Sequence, residues 1–197
     1  MKKEEALAFL KTHQPLPPDE KLTQDIADQY DEIRRYFLQY PARECIPLFL
    51  NSFGKGDGFG SYVLIEDVIQ RFAAEEVVPH LVKALSSKFK SVRYWNAQIA
   101  LNFPAPKLVA PLSQLLKAGD FDMRYACITA LGQIKDERIK EVLREAFARE
   151  KEEEICELIK GILAEKVVGK KRFDDCITQK ASLWQRKITH PTSGVRD

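Results

Sequence analysis

The sequence contains no long apolar run and no recognisable export signal. No stretch reaches the roughly 18 apolar residues that a membrane-spanning helix needs. The opening MKKEEALAFLKTHQ also lacks the apolar centre of a secretory signal, because Glu4 and Glu5 directly follow the lysines. We therefore expect no membrane association and a cytoplasmic location.

Cysteine and histidine are scarce, with four cysteines and three histidines in 197 residues. The cysteines have no CxxC spacing, and isolated cysteines in a reducing compartment are usually small core residues, so disulfides are not expected. None of His13, His80 and His190 belongs to an HxxxH or His-Glu pair. The sequence therefore predicts no metal site and no cofactor. Because it also lacks GxSxG or another nucleophile motif, it favours a protein that is not an enzyme.

Excess charge of one sign is confined to the C-terminal segment. Residues 165–197 carry 8 Lys or Arg and 4 Asp or Glu, a net charge of +4, which leaves −2 for residues 1–164 because the whole chain carries +2. A protein that neutralises many phosphates normally has a basic body. The balance therefore disfavours nucleic acid as the main partner. The cations around Phe173 and Trp184 in the tail fit a solvated segment, a nucleic acid or an acidic protein surface.

What the sequence does contain is an internal repeat of 31 to 32 residues. Similar segments, CIPLFLNSF, VVPHLVKAL and VAPLSQLLK, place a proline at the same point each time, at Pro47, Pro79 and Pro111. A second segment follows each of them: SYVLIEDVIQRF, VRYWNAQIALNF and MRYACITALGQI. A weaker fourth copy, IKEVLREAF followed by EEEICELIKGIL, lacks the proline. A repeat of this length predicts a stack of small units.

Each copy has the periodicity of two helices. Apolar residues recur at steps of three and four, as in Leu81 and Leu85 or Ile155, Ile159 and Ile162, which is helical and not strand spacing. One amphipathic helix pair cannot cover its own apolar face, so neighbouring copies must stack and share a core. The sequence predicts an all-α solenoid of about four hairpins, at residues 42–73, 74–104, 105–135 and 136–164. It is preceded by a helical cap at residues 1–41 and followed by a basic tail at residues 165–197.

Local signals predict details within these copies. Ser61, Ser91 and Asp122 are expected as N-caps of the second helices, because Ser and Asp side chains accept hydrogen bonds from first-turn amides. Pro111 lies deep enough in its helix to predict a kink.

The stretch DMRYACITALGQIKDERI resembles the HEAT-repeat family, especially the short bacterial HEAT-like repeats of the phycobilin-lyase type. The resemblance depends on Met123-Arg124 and on the small-residue run that follows, and it is strongest over residues 106–134 and weaker over 75–103. It implies that the first helix of each pair lies on the convex side of the solenoid and the second on the concave side. It also implies that arginines such as Arg93 and Arg124 bond to a neighbouring repeat.

A glycine-rich stretch, GKGDGFG, falls where the other copies have their turn between helices. It lacks the order GxxxxGK[ST] of a nucleotide-binding loop and follows no strand. Two interpretations are open: a long flexible turn, or an anion site formed by backbone amides at a helix start. The residues of the anion site would be Lys55, Gly56, Gly58 and Gly60.

Equivalent positions of the second helices form three rows that the repeat places along one groove. These rows are the candidate partner-binding residues: Tyr62, Arg93 and Arg124; Asp67, Gln98 and Thr129; Arg71, Asn102 and Gln133. Tyr94 and Tyr125 join them, since tyrosine and arginine are favoured interface anchors. Trp95 fits either this surface or the core between helices.

The first function hypothesis is therefore a monomeric scaffold that holds a protein partner in its groove without catalysis, of the adaptor or immunity type. The second is nucleic-acid binding, because one group of alkylpurine DNA glycosylases is also built of HEAT-like repeats. The third, a bilin lyase-like cofactor binder, follows only from the family resemblance.

Overall fold

A computed structural model describes the backbone of residues 1–168 and the side chains of residues 1–164. Within residues 1–168 every regular element is helical and none is a strand. Residues Met1–Lys160 form one compact unit, and the last helix continues beyond it. The α-helices, in chain order, are α1 (Lys3–Thr12), α2 (Gln24–Gln39), α3 (Cys45–Leu50), α4 (Ile65–Ile69), α5 (Ala74–Ala84), α6 (Lys90–Ile99), α7 (Val109–Ala118), α8 (Phe121–Gln133), α9 (Arg138–Phe147) and α10 (Glu153–Val168).

The helices pair and stack in two layers, as the repeat predicts. In the first layer α1 packs on α3, α3 on α5 and α7 on α9, while α5 meets the 3-10 turn Pro106–Leu108 that leads into α7. In the second layer α2 packs on α4 and α6 on α8. The all-α stack of helical hairpins is confirmed, and α1 and α2 continue the same two layers at its N-terminal end.

The apolar spacing of each helix decides which face is buried. In α5 the residues Val77, Leu81 and Ala84 are fully buried, at steps of three and four, while Glu75 is exposed in the first turn. Acidic residues in the first turn and Lys83 in the last complement the helix dipole. Burial of one stripe per helix is what forces α5 to pack against its neighbours.

Aromatic side chains fill the core between the N-terminal hairpin and the helices after it. Tyr30 and Phe37 of α2 both contact the ring of Phe49 edge-on, with centroids 5.9 Å apart in each pair. Tyr62 contacts Tyr30 at 6.2 Å. The cluster therefore joins α2, α3 and the segment before α4 in one continuous core.

Several local predictions need correction. The N-cap of α8 is Asp120, whose carboxylate accepts a hydrogen bond from the amide of Met123 at 3.2 Å, whereas Asp122 lies inside the helix. Ser91 is the second residue of α6, and its hydroxyl donates to the carbonyl of Phe53 at 2.9 Å instead of capping. Ser61 precedes a 3-10 turn, Tyr62–Leu64, without a side-chain cap bond.

The expected depth of Pro111 in its helix is also wrong. Pro79, the sixth residue of α5, lies inside its helix, whereas Pro111 is only the third residue of α7.

Each proposed repeat contains one of the four helix pairs from α3 to α10, but α10 continues past the proposed boundary at residue 164. The basic run beginning at Lys170 and the aromatic residues Phe173 and Trp184 lie outside the described residues.

Candidate functional site

The glycine-rich loop between α3 and α4 is built around a carboxylate from the N-terminal hairpin. Asp19, in the 3-10 turn Asp19–Lys21, accepts hydrogen bonds from the amides of Asp57 at 3.0 Å and Gly58 at 3.1 Å. Its own amide donates to the carbonyl of Lys55 at 3.0 Å. Lys55 in turn pairs with Glu20 at 3.1 Å. Successive amides that converge on an anion form a nest, and here the anion belongs to the chain.

This geometry corrects the predicted external anion site at Lys55, Gly56, Gly58 and Gly60. Gly58 uses its amide for Asp19, and the amide of Gly60 donates to the side chain of Asp57 at 3.1 Å. The turn is long, but these bonds fix its backbone.

Glycine is required where the loop approaches its neighbours closely. Gly56 has a φ of 115°, and a Cβ there would lie 2.1 Å from Oδ2 of Asp19. Gly58 has a φ of 61°, and a Cβ there would lie 2.4 Å from the ring of Tyr62. Both the left-handed backbone and the contact exclude a larger residue. The glycine cluster is therefore explained by packing and not by phosphate binding.

Two aromatic residues hold the loop from inside. The hydroxyl of Tyr62 accepts a hydrogen bond from the amide of Gly54 at 2.8 Å, and burial raises the pKa of Tyr62 to about 12. The indole nitrogen of Trp95 donates to the carbonyl of Gly56 at 3.2 Å. Trp95 is a core residue, which settles the two interpretations that the sequence left open.

Tyr62 and Tyr125 are corrected as partner contacts, because their side chains are only 1% and 7% exposed. Tyr94 is half-buried, and its hydroxyl accepts a hydrogen bond from Gln98 at 3.0 Å.

The predicted row arginines make internal hydrogen bonds. Arg93 donates to the carbonyls of Ser87 at 2.7 Å and Lys88 at 3.1 Å, in the turn before its own helix. Arg124 donates to the carbonyl of Gly119 at 3.1 Å and forms a bidentate pair with Glu150, at 2.8 and 3.0 Å. Arg124 thus reaches the turn between α9 and α10, in the next hairpin. Both arginines therefore hold turns, and Arg124 is also paired with a carboxylate.

The remaining predicted positions form a polar surface, here called the second-helix face. They lie on or directly after the second helices α4, α6 and α8, and each is exposed or half-buried: Asp67, Arg71, Gln98, Asn102, Thr129 and Gln133. Thr129 donates to the carbonyl of Tyr125 in its own helix at 2.8 Å. Within the described residues, the side chains of Asp67, Arg71 and Gln133 make no hydrogen bond or ion pair.

Glu66 joins two parts of this face and was not predicted. Its carboxylate accepts hydrogen bonds from Asn102 at 2.7 Å and Gln70 at 2.8 Å, which connects α4 to the 3-10 turn Ala100–Asn102. Burial raises the pKa of Glu66, and the neighbouring charge of Asp67 acts in the same direction. The spacing of Glu66 and Gln70 by four residues was the available sequence signal.

A concave feature that the sequence did not indicate lies between α7 and α9 in the first layer. This cleft has a volume of about 610 Å³ and is lined by apolar residues such as Leu116 and Val142 and by many charged ones. Five cations and four carboxylates line it, so its charges nearly balance, and two pairs form among them: Arg124 with Glu150 and Arg149 with Glu145. A self-neutralised lining leaves little net attraction for a charged ligand.

Two cysteines of the described residues are buried in the core. Cys45 and Cys127 are buried, and burial raises the pKa of each thiol to about 12, so both are protonated and inaccessible at neutral pH. No three His, Cys, Asp or Glu side chains converge on a possible metal site in the part of the chain that the structure describes. Each helix in residues 1–168 is too short or too polar to cross a bilayer.

Comparison with known proteins agrees with this architecture. No curated protein matches the chain. A family model described as HEAT repeats matches residues 78–159, which covers α6 to α9 with most of α5 and part of α10. The match also extends beyond residue 134, where the span of strongest sequence resemblance ends. The match and the stacked hairpins support HEAT repeats over residues 78–159.

Proposed function

We propose that this protein is a non-catalytic scaffold that binds a protein partner through the second-helix face. One observation supports this most directly: Asp67 on α4, Arg71 just after α4 and Gln133 at the end of α8 have polar side chains without an internal partner within the described residues. Helices in a packed stack offer a surface that is already ordered, so association costs less conformational entropy. HEAT repeats commonly serve as protein-interaction scaffolds.

The charges near this face favour a protein over a nucleic acid. Glu66 and Asp67 lie at the start of the face, and Arg71 is the cation beside them. Arg93 and Arg124, the other predicted cations, donate to backbone carbonyls or to Glu150. Binding to DNA depends on many free cations that neutralise phosphates. No residue of the face supplies bilin-specific chemistry, so that alternative has no support of its own.

Site-specific photo-crosslinking tests the proposal. Asp67, Arg71 and Gln133 are replaced one at a time by a benzophenone amino acid, because no internal bond is lost there. Glu75 of α5 and Gln114 of α7, which are exposed in the first layer, are the matched control positions. We expect the same protein adduct from all three positions of the face and none from the controls.

Two outcomes would contradict the proposal. The first is an adduct that forms equally from Glu75 or Gln114. The second is binding to DNA with a steep salt dependence, since about six phosphate contacts weaken affinity by roughly a thousandfold between 50 and 200 mM salt.

A further inference from the structure

Three large apolar side chains are exposed within six residues, at the end of the glycine-rich loop. Phe59 is 52% exposed, Val63 43% and Leu64 39%. Together they form what we call the Phe59 patch. Clustered exposed apolar side chains bordered by polar residues mark interaction sites more often than scattered ones do.

The backbone holds Phe59 in a conformation that a bulky residue normally avoids. Phe59 has a φ of 54°, and its neighbours Gly58 and Gly60 have φ values of 61° and 80°. Three consecutive residues are therefore left-handed, and the middle one carries a large side chain although glycine or asparagine would fit with less strain. Strain of this kind persists where the surrounding structure imposes it, and it clusters at functional positions.

The surrounding structure fixes this segment on both sides. Asp19 binds the amides of Asp57 and Gly58, and the side chain of Asp57 accepts a hydrogen bond from Gly60. The ring of Tyr62 lies directly under Gly58. The patch is therefore presented by a closed loop, and a partner that binds it pays little to order it.

Val63 and Leu64 of the Phe59 patch adjoin the second-helix face at Asp67. Residues 61–70 follow a right-handed helical path, through the 3-10 turn Tyr62–Leu64 and then α4. Asp67 comes one helical turn after Val63 and Leu64, so the three residues lie on the same side. Residues 59–71 contain Glu66, Asp67 and Arg71, so this stretch has a net charge of −1, and Asp67 is the exposed charge one turn from Val63 and Leu64.

We propose that the Phe59 patch is the apolar anchor of the partner site, and that its occupant is a protein segment carrying an aliphatic or aromatic side chain next to a lysine or arginine. The apolar side chain covers Phe59, Val63 and Leu64, and the cation faces Asp67. This inference rests on the proposed function, because the anchor adjoins the second-helix face. A desolvated aromatic contact beside a complementary charge has the composition of an interface hot spot.

Panning of a phage-displayed random peptide library against the full chain tests this assignment. Enriched peptides are synthesised with a fluorophore, and their affinity is measured by anisotropy for the wild type and for Phe59→Asn, Val63→Ser, Asp67→Lys and Gln133→Lys. Phe89→Asn is the matched control, since Phe89 is an aromatic residue with 38% exposure outside the patch and with ordinary φ.

We expect the enriched peptides to contain an apolar residue beside a lysine or arginine. Their affinity falls by about tenfold or more in Phe59→Asn, Val63→Ser and Asp67→Lys, and stays unchanged in Phe89→Asn. The thermal midpoint of Phe59→Asn equals or exceeds that of the wild type, because asparagine tolerates the left-handed backbone. A residue needed only for folding would lower that midpoint instead.

Several results would overturn the inference. One is that no peptide is enriched on the wild type above the level on Phe59→Asn, and another is that enriched peptides lack the basic residue. Self-association of the wild type that disappears in Phe59→Asn would identify a second copy as the occupant. If Gln133→Lys weakens binding while Phe59→Asn and Val63→Ser do not, the anchor is wrong and the proposed function stands. If none of these variants weakens binding, both proposals fail.

Discussion

Asp19 is the residue on which the glycine-rich loop depends. Its carboxylate accepts from the amides of Asp57 and Gly58, and the side chain comes from a hairpin that precedes the loop by 38 residues in sequence. Hydrogen bonds to a charged acceptor contribute about 1.5–3 kcal/mol each, more than those between neutral groups. One carboxylate therefore fixes a loop that its composition alone would leave free, and it holds Phe59 in its exposed position.

Replacing single glycines separates backbone strain from steric contact in this loop. Both Gly56 and Gly60 have positive φ, but a Cβ at Gly60 meets nothing within 4 Å, whereas one at Gly56 lies 2.1 Å from Oδ2 of Asp19. We expect Gly60→Ala to lower the free energy of unfolding by about 1 kcal/mol, the cost of a left-handed alanine. Gly56→Ala should cost roughly 1–3 kcal/mol more, because the carboxylate must move.

Urea denaturation followed by circular dichroism measures both variants. The control is the double variant Asp19→Ala with Gly56→Ala, since removing the carboxylate relieves the contact. In the Asp19→Ala background, Gly56→Ala should lower the free energy of unfolding by about as much as Gly60→Ala does. Equal costs for the two single variants would show that Asp19 does not pack against Gly56.

At the scale of helices, the repeat predicted more than the local signals did. The spacing of Pro47, Pro79 and Pro111 and the steps of three and four residues indicated paired helices, because burial of one stripe leaves that pattern in any sequence. Asp120 and Asp122 both satisfy the rule for an N-cap, and the sequence does not say which of them precedes the first turn. The structure selects Asp120, which accepts from the amide of Met123.

The exposure of the candidate site residues was predictable from helical position alone, except where a segment distant in sequence covers the residue. Asp67, Arg71 and Gln133 are on the surface as their helical positions indicate. Tyr62 shares a row with arginines, yet the loop around Gly54 and Gly58 folds over it and buries it. The contact between Asp19 and Gly58 joins residues 39 apart and leaves no periodic trace.

The pair between Arg124 and Glu150 connects α8 to the turn before α10, and it predicts sensitivity to acid. Burial acts to raise the pKa of Glu150, but hydrogen bonds from Arg124 and from the amides of Glu152 and Lys151 outweigh it and leave the pKa below its ordinary value. The unfolded chain has an ordinary glutamate pKa of about 4.3. Because the folded pKa is lower, the ionised carboxylate stabilises the folded state at pH values above about 4.3, and this contribution is lost as the pH falls through the folded pKa. We expect Glu150→Gln to lose less stability than the wild type between about pH 5 and pH 3.

Thermal denaturation across this pH range checks the expectation. At neutral pH, Arg124→Ala should cost about 3 kcal/mol, since it leaves the nearly buried carboxylate of Glu150 without its cation. Arg149→Ala serves as the control, because Arg149 and its partner Glu145 are both more than half exposed and such pairs contribute about 0–1 kcal/mol. Parallel pH curves for the wild type and Glu150→Gln would mean that Glu150 has no lowered pKa.

At the scale of the whole unit Met1–Lys160, stability depends on contacts between neighbouring hairpins. A solenoid has no central core, so each interface must hold for the array to unfold as one body. Aromatic rings provide such continuity here: Phe37 contacts Phe49, and Tyr62 contacts both Tyr30 and Trp95, the latter pair at 5.6 Å. A destabilising substitution in α2 is therefore expected to destabilise α6 as well, because packed rings connect the two helices.

Phe37→Ala tests whether the array unfolds cooperatively. Phe37 is fully buried, and its loss should cost about 3–5 kcal/mol. In a Trp184→Phe background the remaining tryptophan, Trp95, reports on α6, while far-UV circular dichroism reports on all helices. We expect Phe37→Ala to shift the urea midpoints of both signals together, because the ring cluster couples the N-terminal hairpin to the surroundings of Trp95.

The control is Phe147→Ala, at an exposed position of α9, which should change the free energy of unfolding by only about 0.5 kcal/mol. A different result would contradict cooperative unfolding. If the circular dichroism signal of Phe37→Ala shows an additional transition at lower urea while Trp95 fluorescence keeps its wild-type midpoint, the N-terminal hairpin unfolds independently and the stack is not one cooperative unit.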